Sequence, residues 1–150
     1  MIPRRNHSRD RYGPLEKMSD WIKIKENGKE VWKWNNYISN PHEFLEERPW
    51  TPLVIDNQLC FSAVNNKKWK VVWGEYEYKE FEDVYDTDEY KNKPVYIARN
   101  NSTYYIVHGE KISQGFNYQI TFRIENENLK LYRWDTFPKS DALIIEWYKI

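Results

Sequence analysis

The chain has 150 residues, with 23 Lys plus Arg balancing 23 Asp plus Glu, and 17% aromatic residues, eight of them tryptophan. A balanced charge gives no whole-protein field to attract nucleic acid or an acidic partner, and no apolar run approaches the ~20 residues that span a bilayer. A lone cysteine, Cys60, makes no internal disulfide, and with no signal-peptide pattern at the amino end it points to a reducing, cytoplasmic setting.

Residues Met1–Leu15 carry Arg4, Arg5, Arg9 and Arg11 among Pro3, Gly13 and Pro14, and almost nothing apolar. Such a segment cannot offset its own ordering entropy and is expected to be a flexible basic arm, 1–15. Phosphate contact through this arm is the one route to nucleic acid, and a solvated tail is the simpler account. Residues 16–150 are then expected to form a single β domain, large enough to bury about two-thirds of its unfolded surface.

The first element is a hairpin over Trp21–Trp34. Asn27-Gly28 is a preferred pair for a two-residue turn with positive φ at both positions. That turn sets Glu26 opposite Lys29, Lys25 opposite Glu30, Ile24 opposite Val31 and Trp21 opposite Trp34, a register supported by charge, aliphatic and aromatic pairs. Asn40-Pro41, with Glu43 three residues after the cap, carries a helix-start signal. A short helix is expected there, ending by residue 48 before Pro49.

Next comes a passage that occurs twice. Ala63–Glu75 reads AVNNKKWKVVWGE, and Ala98–Glu110, thirty-five residues on, reads ARNNSTYYIVHGE. A self-match at fixed spacing marks a duplicated supersecondary unit. In each copy an apolar strand runs into Asn-Asn and a second strand follows, so both predict hairpins with loops of about four residues. Trp69, Val71 and Trp73 share one face, matched by Tyr104, Ile106 and His108.

Between the copies, Glu75 to Glu89 is rich in acids, which suits a solvated edge or connecting loop; it lacks the glycine-centred spacing of a calcium loop. Tyr118, Ile120, Phe122 and Ile124 alternate, Glu125–Asn128 forms a further turn before Leu129–Trp134, and Leu143–Ile150 supplies a last apolar strand. These signals predict an all-β domain built from hairpins, internally duplicated, closed as a barrel or packed as a sandwich, with one short helix. A β-trefoil is the specific alternative, although no third copy is found at the same offset.

No HExxH, CxxC, Walker-type glycine loop or nucleophile elbow occurs. No metal or cofactor ligand set is evident, and Cys60 within Leu-Cys-Phe reads as a buried structural thiol. The ends of the two copies are the better candidates. Gly74-Glu75 and Gly109-Glu110-Lys111 place carboxylate and ammonium groups beside the flat side chains Trp73 and His108. Directional hydrogen bonds plus an apolar platform are what a sugar requires. The competing account is that Gly-Glu merely ends each hairpin while Trp73 and His108 pack in the core.

Val95-Tyr96-Ile97-Ala98-Arg99, followed downstream by Gly109-Glu110-Lys111-Ile112, resembles the DM-nine repeat lectins. Their repeats carry a Leu-Tyr-Val-x-Arg-Ala strand, a variable loop and Pro-Gly-Lys-Val. The resemblance implies an all-β, duplicated protein that binds mannose-type sugars through a lysine, here Lys111, and an acid before the strand, here Asp88 or Glu89. In this chain Glu110 stands between the glycine and the lysine, and His108 replaces the proline.

The expected function is accordingly a non-catalytic, glycan-binding module, with Glu110, Lys111, Asp88, Glu89, Trp73 and His108 as contacts. Two alternatives stand beside it. One is a protein-interaction or inhibitor module, such as a viral or bacterial effector, immunity or anti-defence protein; the other is a small-ligand barrel or enzyme.

Overall fold

The computed structural model describes residues 21–47 and 51–134. The basic arm and the strand expected over Leu143–Ile150 lie outside them. Among the described residues there are fourteen strands: β1 (Trp21–Glu26), β2 (Lys29–Trp34), β3 (Tyr37–Ile38), β4 (Phe44–Leu45), β5 (Leu53–Ile55), β6 (Gln58–Asn65), β7 (Lys68–Trp73), β8 (Tyr76–Glu77), β9 (Asp83–Tyr90), β10 (Lys93–Asn100), β11 (Thr103–His108), β12 (Lys111–Ile112), β13 (Ile120–Glu125) and β14 (Asn128–Arg133).

All pairing is antiparallel. The sheets are β1-β2-β3, then β4-β6-β7-β8 with β5 also on β6, then β9-β10-β11-β12, then β13-β14. Among the described residues none of them closes into a barrel, as the barrel and the trefoil would require, and the sheets stay open.

The β1–β2 hairpin has the expected register, with Ile24 opposite Val31 and Trp21 opposite Trp34. The Asn-Asn loops are shorter than expected. Asn65 pairs with Lys68 and Asn100 with Thr103, leaving two-residue turns. Asn66 and Lys67 both have positive φ, as the tight turn needs, and so does Asn101.

No helix forms at Asn40. His42 bridges back to Glu30, and β4 pairs with β6 through Phe44–Val64 and Leu45–Ala63. The cap signal is local, and it is overridden because burying Leu45 among Trp32, Leu59 and Phe61 outweighs what one short turn of helix contributes.

The acidic stretch is also corrected. β9 is the edge of its sheet by hydrogen bonding, but Asp86, Thr87 and Asp88 are buried. The charge is accommodated by a bulge opposite Val95–Ile97, where Asp86 has φ 59°, and by Thr121 Oγ1 donating to Asp86 Oδ2 at 2.8 Å. The next sheet covers this edge in place of water.

The duplication turns out to have a third copy. Three isolated bridges join residues twelve apart: Glu30–His42, Trp69–Phe81 and Tyr104–Phe116. Each closes the same unit of a hairpin strand, a tight turn, a two-residue strand and a bridging residue. The first copy escapes a search at constant offset because it precedes the second by 39 residues (30 to 69) rather than 35 (69 to 104). The extra residues fall between Leu45 and Leu53, where the third unit runs continuously through β9.

Consecutive units stack, and the core is divided among the joints. Trp32, Leu45, Leu59, Phe61, Ala63 and Val72 fill the first; Leu53, Cys60, Val71, Phe81, Tyr96 and Ala98 are in the second; Val95, Ile97, Phe116 and Phe122 are in the third. Both faces of β6 and of β10 are therefore buried. That is why Leu59–Ala63 and Val95–Ala98 read as near-continuous apolar runs rather than alternating ones.

The paired asparagines clip successive units together. Asn65 Oδ1 accepts from Glu43 N–H at 2.9 Å, while Glu43 Oε1 accepts from Asn66 N–H at 3.0 Å. One unit on, Asn100 Oδ1 accepts from Glu82 N–H at 3.0 Å and Glu82 Oε1 from Asn101 N–H at 2.9 Å. The asparagines shared by the copies thus hold the repeat together.

Candidate functional site

Both Gly-Glu turns border one cleft. Its volume is about 530 Å3, and its walls are Gln58, Trp73, Glu75, Tyr76, Tyr78, Lys93, Gly109 and Glu110. Gly74 and Gly109 have φ 63° and 61°, and their amides donate to the carbonyls of Leu59 and Pro94 at 2.8 and 2.9 Å. A side chain at Gly74 would run into that of Gln58, and one at Gly109 would press on Lys93. Glycine therefore serves both the left-handed turn and the close crossing of the neighbouring strand.

Trp73 is held by its indole, Nε1–H donating to the Ile55 carbonyl at 2.9 Å, so one part of the ring packs on the core while another lines the cleft. Tyr76 is 48% exposed and its ring meets Tyr78 edge-on at 4.5 Å. Burial, with Cys60 and Tyr76 nearby, raises the Tyr78 phenol to about 12, so it remains a protonated donor. Glu75 and Glu110 at the turns and Lys93 across from them complete the polar rim.

Of the six residues expected in the site, Trp73 and Glu110 line this cleft. Lys111 is exposed on β12 and is not among the lining residues. Asp88 is 1% exposed, with Oδ1 accepting from Glu89 N–H, and Glu89 lies beside it in β9. His108 turns away from the cleft. Its Nε2–H donates to the Tyr90 carbonyl at 2.6 Å and its ring packs on Tyr90 at 5.2 Å. Burial lowers the pKa of His108, only partly countered by that hydrogen bond, so the ring is held neutral as a packing group.

Gln58, Tyr76, Tyr78 and Lys93 are wall residues that pattern reading does not single out. A signal for Tyr78 exists once the copies are aligned on their bridges. The same place holds Ser39 in the first unit and Ser113 in the third, each hydroxyl accepting from a strand amide, Trp32 N–H at 2.9 Å and Ile106 N–H at 3.0 Å. Tyr78 breaks that pattern and fills the joint with an aromatic ring.

A second recess of about 100 Å3 opens beside the cleft and shares Tyr76, Tyr78, Gly109 and Glu110 with it; its other walls are Lys79, Phe81, Tyr96, Val107 and Ile112. Among the described residues no group of three or more His, Cys, Asp or Glu is placed to hold a metal ion. Nor, among these residues, is any helix long and apolar enough to cross a membrane. Cys60 is buried and its thiol pKa is raised by burial, with Asp88 adding to the effect, which removes it as a nucleophile.

Comparison with family models, with curated proteins and with solved structures finds no match to this chain.

Proposed function

We propose that this chain is a non-catalytic binding module that takes a glycan in the cleft between its second and third units. The observation that carries this is the placement of both Gly-Glu turns around one concavity. Its volume falls in the range of small-ligand sites, roughly 300–1,000 Å3, and it combines the Trp73 and Tyr76 rings with the carboxylates of Glu75 and Glu110, the Lys93 ammonium and the Gln58 amide. Sugars bind through C–H faces laid on aromatic rings and hydroxyls paired with charged groups, and the cleft supplies both. The cytoplasm is the proposed setting, since the single cysteine is a buried thiol.

A glycan array followed by calorimetric titration tests the reading. Trp73→Ala and Glu110→Ala are each expected to weaken binding by about tenfold or more, about 1.4 kcal/mol. Lys111→Ala, outside the cleft, is expected to change little, and a large loss there would favour the DM-nine arrangement instead. An absence of sugar binding by the wild type would defeat the proposal.

A second reading, a protein-interaction module, is favoured by a separate observation. Ile22 and Ile38 are each opposite Lys33 in their strand pairings, and both are exposed, at 59% and 64%. Two exposed isoleucines flanking Lys33 on the outer face of the first sheet suit a protein partner. Loss of a stoichiometric co-purifying partner in Ile22→Asp and Ile38→Asp, with the glycan cleft untouched, would favour this reading.

A further inference from the structure

The recess beside the cleft contains a feature that folding does not require. Tyr96 is 0% exposed, and its hydroxyl has no hydrogen-bond partner among the described residues. The corresponding place in the second unit is Phe61, thirty-five residues earlier and equally buried. A phenylalanine therefore satisfies the packing demands of this position in the repeat. An unpaired buried hydroxyl is unfavourable by roughly 1–3 kcal/mol, and such a group in a folded protein calls for an explanation.

Two departures from the repeat meet in this recess, Tyr78 where the first and third units have serine and Tyr96 where the second unit has phenylalanine. The walls are otherwise apolar on one side, from Phe81, Val107 and Ile112. Tyr76, Tyr78, Gly109 and Glu110 are common to recess and cleft, so a ring lying in the cleft can extend a substituent into the recess. The volume of about 100 Å3 gives room for a substituent the size of a two-carbon acyl group.

Resting on the glycan reading above, we infer that the recess selects N-acetylated sugars, the acetamido methyl packing on Phe81, Val107 and Ile112 while its carbonyl accepts a hydrogen bond from Tyr96 Oη. A carbonyl matches the donor that Tyr96 leaves unused, and a methyl matches the apolar side. An unsubstituted hexose presents a hydroxyl there, which leaves the apolar side unfilled. An ammonium, as in a deacetylated amino sugar, can pair with Glu110 at the mouth of the recess, but it brings neither a methyl for the apolar side nor an acceptor for the Tyr96 hydroxyl.

Calorimetry with a trimer of N-acetylglucosamine, the corresponding glucose trimer and the deacetylated glucosamine trimer tests this. The wild type is expected to prefer the acetylated trimer. Tyr96→Phe, which installs the residue of the second unit, is expected to weaken the acetylated trimer about three- to tenfold while leaving the glucose trimer unchanged. A denaturation midpoint at or above that of the wild type would show that the variant is folded. Saturation-transfer NMR gives an independent readout: the acetyl methyl should receive the strongest transfer. Equal affinity for acetylated and plain trimers, or a preference surviving Tyr96→Phe, or a weakly saturated methyl, overturns the inference and leaves glycan binding standing. Binding of no sugar at all overturns both.

Discussion

The first and second joints are built from the same parts and finished differently. At the first, Tyr37 Oη donates to the Gly74 carbonyl at 2.6 Å, tying the turn of one unit to the turn of the next. Burial, with Glu75 and Glu77 close by, raises that phenol to about 12, and the hydrogen bond stays intact through the neutral range. At the second, Tyr76 occupies the place of Tyr37, yet it is half exposed and leans on Tyr78 instead. The first joint is thereby latched, and the second is left as an open cleft. One repeat can thus serve as scaffold in one place and as a site in another, the difference lying in a tyrosine placed where the other units have serine.

The largest effects expected are in the cores, and they should be alike. Phe61→Ala in the first joint and Phe81→Ala in the second remove fully buried rings, and each should reduce stability by about 3–5 kcal/mol in urea titrations. Only Phe81→Ala should also alter ligand binding, because Phe81 lines the recess. Equal binding defects in both would break the distinction between the joints.

The asparagine clips should differ next. Asn65→Ala removes the acceptor of the Glu43 amide and also the donor to His42 Nδ1 at 2.8 Å; Asn100→Ala removes one of two acceptors of the Glu82 amide, which also donates to the Arg99 carbonyl at 3.0 Å. A lost hydrogen bond is worth about 1 kcal/mol, and the first variant loses one more than the second, so it should be the less stable by about that amount. Tyr37→Phe should in turn lose about 1 kcal/mol with its latch, whereas Tyr76→Phe should stay within about 0.5 kcal/mol of wild type. A Tyr76→Phe loss as large as that of Tyr37→Phe would mean that the second joint is latched too.

The gentlest test is pH. Burial lowers the pKa of His42 at the first joint, with Glu77 pulling the other way and Lys70 assisting, and burial likewise lowers that of His108 at the second. Groups whose folded pKa is depressed bind more protons when unfolded. Their contribution is complete above the ordinary value of 6.5 and is lost as pH falls below it. The melting temperature should therefore drop between about pH 7.5 and 5.5, and His108→Gln should flatten that slope without abolishing it.

Much of this architecture is legible in the residues themselves. Asn27-Gly28 and the pairs around it specify one hairpin and its register, because the turn and the cross-strand pairs agree. The Asn-Asn and Gly-Glu matches announce the repeat for a comparable reason: left-handed turn positions tolerate few residue types. The helix expected at Asn40-Pro41 was a local preference that the burial of Leu45 overrode. The acids of Asp83–Glu89 suggested solvent because nothing in their own stretch names Thr121 as a partner.

The candidate site was legible in the same proportion. Trp73 and Glu110 could be named from the repeat ends, since they sit beside glycines whose turns local chemistry dictates. Lys111, Asp88, Glu89 and His108 could not be sorted from them. In a strand, the face a side chain takes and what covers it depend on the neighbouring sheet. By itself, then, the sequence determined the hairpins, their turns and the existence of a repeating unit, all set by contacts within a few residues. The tertiary structure decided the third copy, the stacking that buries both faces of β6 and β10, and the meeting of Trp73, Tyr76, Tyr78, Lys93 and Glu110 at one open joint. Those outcomes depend on long-range packing, and no residue carries the identity of its distant neighbour in its own local pattern.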